Sequence, residues 1–286
     1  MRNKGLRHTI IAIIVILVIL TAVAGNYLYA TRWSQGNFKV DYQTVDDTQI
    51  PDDFDNVSMM FFSDLEFGSL FDAKRLDGFS QAISGLAPDI VVFGGDMFDQ
   101  GYDIQPDDIT AVTSALKAIT APLGKFAILG DFDQSDEKRQ TVVKSILLAS
   151  DFELLGTKPL KLHNGTSAFI ELVGISYDAG LTDASPLFAD VQASSYVITA
   201  IHGPALADAL PLNISDLTLS GHAHHMQVNI PGLGAYTHFP LTASYGLGRT
   251  ATGRTLLYLS HGIGETNVDA RWFCDPSVLF FRFNKK

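Results

Sequence analysis

Five separated pieces of the chain combine carboxylates and imidazoles in a pattern suited to gripping metal ions. They are Asp64-Leu65-Glu66 directly after Ser63, Gly95-Asp96-Met97-Phe98-Asp99, Gly130-Asp131-Phe132-Asp133, a lone His202, and Gly221-His222-Ala223-His224. Each follows a short apolar run of the kind that forms a buried strand. Charged groups are costly to bury unless they are paired or hold a metal, so a series of them at strand ends predicts a shared cation site. Each piece alone would be ordinary, since an Asp after a strand commonly caps a helix or forms a turn. Two cations about 3.5–4 Å apart can polarise a water held between them and stabilise the charge that develops in a hydrolytic transition state. A carboxylate between two such ions offsets their repulsion.

The elements that must position these residues are legible as an alternation. Val57–Phe62, Asp89–Phe93 and Lys125–Leu129 read as short buried strands. Between them, Ala73–Leu86 carries Leu76, Phe79, Ile83 and Leu86 at helical spacing. A second helix runs to Ile119 with Asp107 or Asp108 as its cap, and a third covers Ser135–Leu148. The second half reads as strands at 168–174, 196–201, 216–220, 227–230, 255–260 and 278–283, with short helices. Early alternation and later strand richness predict an α/β fold: two packed mixed β-sheets flanked by helices, an α/β/β/α sandwich. Active groups at the carboxyl ends of strands suit ligand binding in such folds.

In this order the motifs resemble those of the calcineurin-like metallophosphoesterases, and more closely the membrane-anchored bacterial phosphoesterases of that superfamily. The family pattern is Asp-x-His, Gly-Asp-x-x-Asp, Gly-Asn-His-Asp/Glu, a lone His, then Gly-His-x-His. The resemblance runs from about Val57 to the C-terminus and includes Leu259-Ser260-His261-Gly262-Ile263-Gly264. It implies Asp64 as a ligand of one metal, Asp96 as the bridging ligand, and His202 and His222 on the second metal. It implies His224 as the last ligand of the first. Asp96, Asp131 and His202 are then the candidate catalytic residues, with two divalent ions as cofactors and a phosphate ester as substrate.

Three positions depart from that pattern. Glu66 stands where the family has His, and Asp131 where it has Asn. Both can still ligate through oxygen, and both favour harder cations such as Mn²⁺ or Mg²⁺ over Zn²⁺ or iron. Four carboxylates (Asp64, Glu66, Asp96 and Asp131) would then about neutralise two divalent ions, where the family pattern leaves a surplus of positive charge. Phe132 stands where the family has its catalytic His, which can protonate the leaving group; that help is worth roughly 10²–10⁴ in rate. Asp99 matches the residue that orients the missing His, and His225 or His261 are candidate substitutes. Asp133 reads as a supporting residue or a cap. Two functions follow: a metal-dependent phosphodiesterase or phosphomonoesterase working on good leaving groups, or a relative that kept the cage and lost the chemistry.

The rest of the chain bounds the setting. Arg2, Lys4 and Arg7 precede an uncharged stretch from Thr9 to Thr31. It is long enough for a bilayer, which needs about 20 residues, and its basic side should stay in the cytoplasm. Tyr27, Tyr29 and Trp33 follow as interfacial aromatics. Residues 1–33 are therefore expected as a single-pass membrane anchor. The alternative is a signal peptide cleaved after Ala24, because Ala22-Val23-Ala24 fits the small-x-small pattern. Either way residues 56–286, the hydrolase-like domain, lie outside the cytoplasm, which makes lipid-linked or envelope phosphates candidate substrates. Residues 34–55, with Asp41, Asp46, Asp47, Asp52, Asp53 and Asp55, read as an acidic linker. A net charge of −11 argues against a nucleic-acid partner. The single Cys274 excludes an internal disulfide and multi-cysteine zinc sites.

Overall fold

The structure is a computed structural model. It describes residues 2–156, 158–178, 180–211, 213–223, 227–230, 234–235, 249–252 and 255–286.

Two six-stranded sheets pack face to face. The first is ordered β1 (Lys39–Asp47), β14 (Ser277–Lys285), β2 (Ser58–Phe62), β3 (Ile90–Phe93), β4 (Gly124–Ala127) and β5 (Phe152–Leu154). Strands β2 to β5 are parallel, whereas β14 runs antiparallel to β2 and β1 runs parallel to β14. The second sheet is ordered β12 (Arg249–Thr252), β13 (Thr255–Leu259), β9 (Leu217–Ser220), β8 (Val197–Ile201), β7 (Phe169–Ile175) and β6 (Leu160–His163). Its four middle strands are parallel. Strands β10 (Asn229–Ile230) and β11 (Gly234–Ala235) form a separate short pair.

The period of two along each strand divides the apolar side chains between layers. Met59, Phe61, Val92 and Phe281 of the first sheet meet Leu172, Ile198, Leu219 and Tyr258 of the second. Met60, Phe62, Val91 and Phe93 face outward under α2 (Ala73–Ile83), α3 (Pro106–Ala118) and α4 (Glu137–Ala149). The outer face of the second sheet is covered by short 3-10 segments at Ser185–Phe188 and Pro204–Ala209, through Phe188 and Leu206. The expected α/β architecture is thus present. Most of the parallel strands are buried on both faces and rich in apolar residues, with exceptions such as Glu171, Thr199 and Thr218, and this makes them conspicuous in the sequence.

Two local expectations differ. Residues 34–55 are not a free linker, because Lys39–Asp47 pairs along its whole length with β14. As an edge strand it is largely exposed, so its polar side chains mask it. In α3, neither Asp107 nor Asp108 is the cap residue. The cap is Gln105, two or three residues earlier, with Pro106 at the first helical position, and Asp108 accepts the Gln105 N–H at 2.8 Å from inside the first turn.

Ahead of the sheets, α1 (Arg2–Leu28) continues through a π-helical turn (Tyr29–Trp33) and a 3-10 turn (Ser34–Gly36). It is long and apolar enough to cross a membrane, and none of its apolar window is covered by the rest of the chain.

The loop between β13 and β14 is organised by Arg271, which is fully buried. Its guanidinium bonds the Glu265 carboxylate and the carbonyls of His261, Gly262, Gly264 and Cys274. Replacing it strands those acceptors, so Arg271→Met should cost about 3–5 kcal/mol of stability in denaturant titration. Arg271→Lys should recover only part, because an ammonium has three donors and no planar fork. A loss within about 0.5 kcal/mol for Arg271→Met would show that the loop does not depend on it.

Candidate metal centre

The candidate residues converge on one edge of the two sheets, just past the carboxyl ends of β2, β3, β4, β8 and β9. Ligand atoms of Asp96, Asp131, His202 and His222 lie within 4.8 Å of one another, and so do those of Asp64, Glu66 and Asp96. Asp96 belongs to both groups. His224 and His225 lie outside the described residues.

The backbone is bent to bring these side chains together. Among the described residues, ten non-glycines have positive φ, and four of them are Asp64 (54°), Glu66 (48°), Asp96 (58°) and His222 (61°). Such conformations cost of order 1–3 kcal/mol each and cluster at functional sites. Gly130 allows the close approach of two loops: a Cβ there would lie 1.9 Å from Asp96 Oδ1. At Gly264 a Cβ would fall 2.2 Å from the Leu65 carbonyl, so the β13–β14 loop can close over Asp64 and Glu66 only without a side chain.

Asp133 ties the loops behind the site. Its carboxylate accepts the N–H groups of Asp96 (2.8 Å), Met97 (2.9 Å) and Gly130 (2.9 Å). Asp64 accepts the His222 N–H at 2.9 Å, which joins the first sheet to the second. His202 donates through Nδ1 to the Gly94 carbonyl at 2.7 Å, which fixes its tautomer and turns Nε2 inward. That Nε2 lies 3.0 Å from Asp131 Oδ1 and 3.1 Å from Asp96 Oδ2. His222 Nδ1 is 3.0 Å from the same Asp131 oxygen.

The other candidates are placed differently. Asp99, half-buried, accepts the N–H of Gln100 and the hydroxyl of Thr266 at 3.3 Å, and belongs to neither ligand group. His261 donates through Nδ1 to the Asp275 carbonyl at 3.2 Å and is not among the clustered side chains. Phe132 contributes its backbone N–H to Asp96 Oδ1 at 3.0 Å. Tyr177, which the motif reading passes over, packs its ring against His202 and His222, with centroids 5.9 and 5.5 Å away. Its signal is positional: it lies two residues past β7, on the same sheet edge.

Protonation reflects crowded like charge. Burial, then Asp96 and Asp64, pushes Glu66 well above the carboxylate range. Burial also carries Asp96 up to about 6, against the pull of His202. Burial disfavours charge on His202 too, but Asp96 and Asp131 outweigh it and raise the imidazole well above its usual value. Asp131 moves down despite its burial, because His202 and His222 both bond its carboxylate. Tyr177 is raised by burial and by Asp131, so it keeps its phenolic proton at neutral pH.

The donor set fits divalent cations. Four carboxylates and two imidazoles converge with one carboxylate common to both groups, an arrangement of mutual repulsion that cations relieve.

No family model matches the chain. Three curated relatives do. A Bacillus subtilis (strain 168) protein named uncharacterized metallophosphoesterase YkuE is 28% identical over 265 residues, covering 92% of this chain and 91% of its own length. An uncharacterized metallophosphoesterase of Aquifex aeolicus is 24% identical, covering 87% of this chain and 92% of its own. The uncharacterized metallophosphoesterase Cj0846 of Campylobacter jejuni is 25% identical over 84% of this chain and 62% of its own. The chain is thus similar, over most of its length, to bacterial proteins named metallophosphoesterases, in keeping with the resemblance its motifs carry.

Without metal, Asp96 holds its proton in the folded chain above 3.8, where the unfolded chain has lost it. Folded stability from this group is therefore lost as pH rises from 3.8 through about 6, and a bound cation removes that penalty. The melting-temperature gain on adding Mn²⁺ should thus grow between about pH 5 and about pH 7, with protons released on binding from Asp96, Glu66 and His202. Calorimetry in buffers of different ionisation enthalpy reads the release; a gain independent of pH would contradict the assignment.

Proposed function

We propose that the chain is a membrane-anchored, metal-dependent phosphoester hydrolase acting outside the cytoplasm. The observation that carries this reading is the membership of Asp96 in both ligand groups. Asp64, Glu66 and Asp96, with His224, would hold one divalent ion. Asp96, Asp131, His202 and His222 would hold the other, with Mn²⁺ or Mg²⁺ favoured by the oxygen-rich set. Such ions, when bound, lower the pKa of a water between them and offset the charge of the phosphate oxygens.

The chain's own side chains set the limits of the chemistry. Asp96 and Glu66 must lose their protons for the site to form. The Nδ1–H bond of His202 to Gly94 keeps its other nitrogen available as a ligand. Asp133 holds the Asp96 and Gly130 loops at fixed separation. Tyr177 can donate a hydrogen bond to a phosphate oxygen but is too weak an acid to protonate a leaving group at neutral pH. Phe132 has no proton to give. The reading therefore favours esters with good leaving groups, among lipid-linked or envelope-derived phosphates. A second reading, a metal- or phosphate-binding relative without turnover, has Phe132 as its support.

The full chain, purified in detergent, should hydrolyse a chromogenic phosphodiester when supplied with Mn²⁺, Mg²⁺ or Zn²⁺, and Asp96→Ala should return the rate to background. Absence of turnover with all three metals, while metal still binds, would favour the second reading. Phe132→His should leave nitrophenyl esters little changed. It should speed hydrolysis of alkyl esters about 10-fold or more, because a proton donor then faces the poor leaving group. Equal effects on both ester types would show that leaving-group protonation is not limiting.

A further inference from the structure

The apolar helix is joined to the rest of the protein by specific contacts at its far end. The Arg271 N–H donates to the Ala30 carbonyl at 2.9 Å, and Trp272 Nε1–H donates to Asn26 Oδ1 at 3.2 Å. The Tyr29 hydroxyl reaches Asp275, which also receives Ser34, Asn37 and Lys39. Gln35 donates to Asp269 at 2.6 Å and accepts from Arg75 at 2.6 Å; Arg75 in turn pairs with Glu265 at 2.7 Å. Ser34 and Gln35 are buried. The helix end is therefore fixed to the 265–275 loop.

That loop presents Phe273 outward beside a half-buried Trp272. Phe273 is 56% exposed and has φ of 52°, an unfavourable conformation for a bulky side chain. Its ring packs on Trp272, with centroids 5.3 Å apart. Tyr27 and Trp33, on the helical segment, are also exposed. Arg7 is the last charged residue before the apolar run, and a span of about 20 residues from there ends near Tyr27. Asn26 and Ala30, the partners of the loop, bracket that level.

The strand directions say which edge of the sandwich this is. Because β14 is antiparallel to β2 and β1 is parallel to β14, Ser277 and Lys39 start at the edge where β2 ends. Leu279 pairs with Phe61, so two residues earlier Ser277 comes level with Ser63, and Lys39 pairs with Ser277. At about 4.8 Å per strand, the stalk enters the sheet about 10 Å from the residue that precedes Asp64.

We propose that the Arg271–Phe273 loop is a second membrane contact. Trp272 and Phe273, together with Tyr27 and Trp33, lie in the lipid headgroup layer and turn the carboxylate-bearing sheet edge toward the bilayer. The partner is the lipid surface itself: Trp and Tyr suit that layer, Phe273 adds an exposed apolar ring, and Trp272 is bonded directly to Asn26 of the helix that would cross it. The proposal rests on α1 being a retained span and is independent of turnover.

The chain has two tryptophans, so fluorescence can report on each position. The full chain is reconstituted into dioleoylphosphatidylcholine vesicles with or without bromine near the headgroup end of the acyl chains. In Trp33→Phe, the native loop keeps Trp272 as the sole indole. A second variant, Trp33→Phe/Trp272→Phe/Phe273→Trp, moves it one residue, and Trp33→Phe/Trp272→Phe/Leu148→Trp puts it on the exposed end of α4. Indoles at 272 and 273 should emit to the blue and lose about half their intensity to brominated lipid, whereas the one at 148 should lose about a tenth or less. Vesicle-bound protein whose indoles at 272 and 273 lose no more intensity to brominated lipid than that at 148 overturns the loop contact while leaving the anchor intact, whatever their exposure to acrylamide, because Trp272 is already half-buried by the protein. Protein that does not float with vesicles overturns both. The Trp33→Phe variant decides the matter even if moving the indole to 273 perturbs the loop.

Discussion

Asp96 is the residue on which the rest of the site turns. It is buried, held at φ of 58°, and shared by two groups of ligand atoms that include three other carboxylates. Two unit charges about 4 Å apart repel by about 4 kcal/mol at an effective dielectric near 20. A cluster of this kind is stable only if protons or cations neutralise it. The raised pKa values of Asp96 and Glu66 are the proton form of that neutralisation. On the proposed reading, divalent ions are the other form, and pH sets the competition between them.

The fold serves this constraint by placing its costs elsewhere. Two sheets with apolar faces supply a rigid frame, and the strained residues sit where their strands end. Asp133, the Ser63 hydroxyl that donates to Asp64, and the Nδ1–H bond of His202 to the Gly94 carbonyl hold the ligands in place. Two glycines, Gly130 and Gly264, let backbone approach where any side chain would collide. Arg271 holds the loop that covers Asp64 and Glu66, and through Glu265, Arg75 and Gln35 the same loop reaches the base of the apolar helix. Site and stalk are thus parts of one bonded structure.

Much of this was legible in the sequence because burial leaves a strong mark. The runs ending at Phe62, Phe93 and Ile201 are mostly apolar, and Leu217–Ser220 keeps two buried leucines, so both the strands and the polar residues just after them stand out. Strand β1 was not legible: as an edge strand it carries Asp41, Asp46 and Asp47, and its pairing with β14 spans more than two hundred residues. Asp99 and His261 belong to neither group of clustered ligand atoms; Asp99 bonds Gln100 and Thr266 and His261 bonds the Asp275 carbonyl, pairings set by side-chain direction, which motif order does not encode. Tyr177 and Arg271 had no motif to mark them. Their importance comes from contacts between distant segments, which no local pattern encodes.

The most direct measurement of the central claim is anomalous diffraction from crystals grown with Mn²⁺. The account predicts two strong peaks about 3.5–4 Å apart with Asp96 between them, one beside Asp64 and Glu66 and the other beside Asp131, His202 and His222. A crystal that binds manganese elsewhere, or shows no peak within reach of Asp96 at saturating metal, would contradict it.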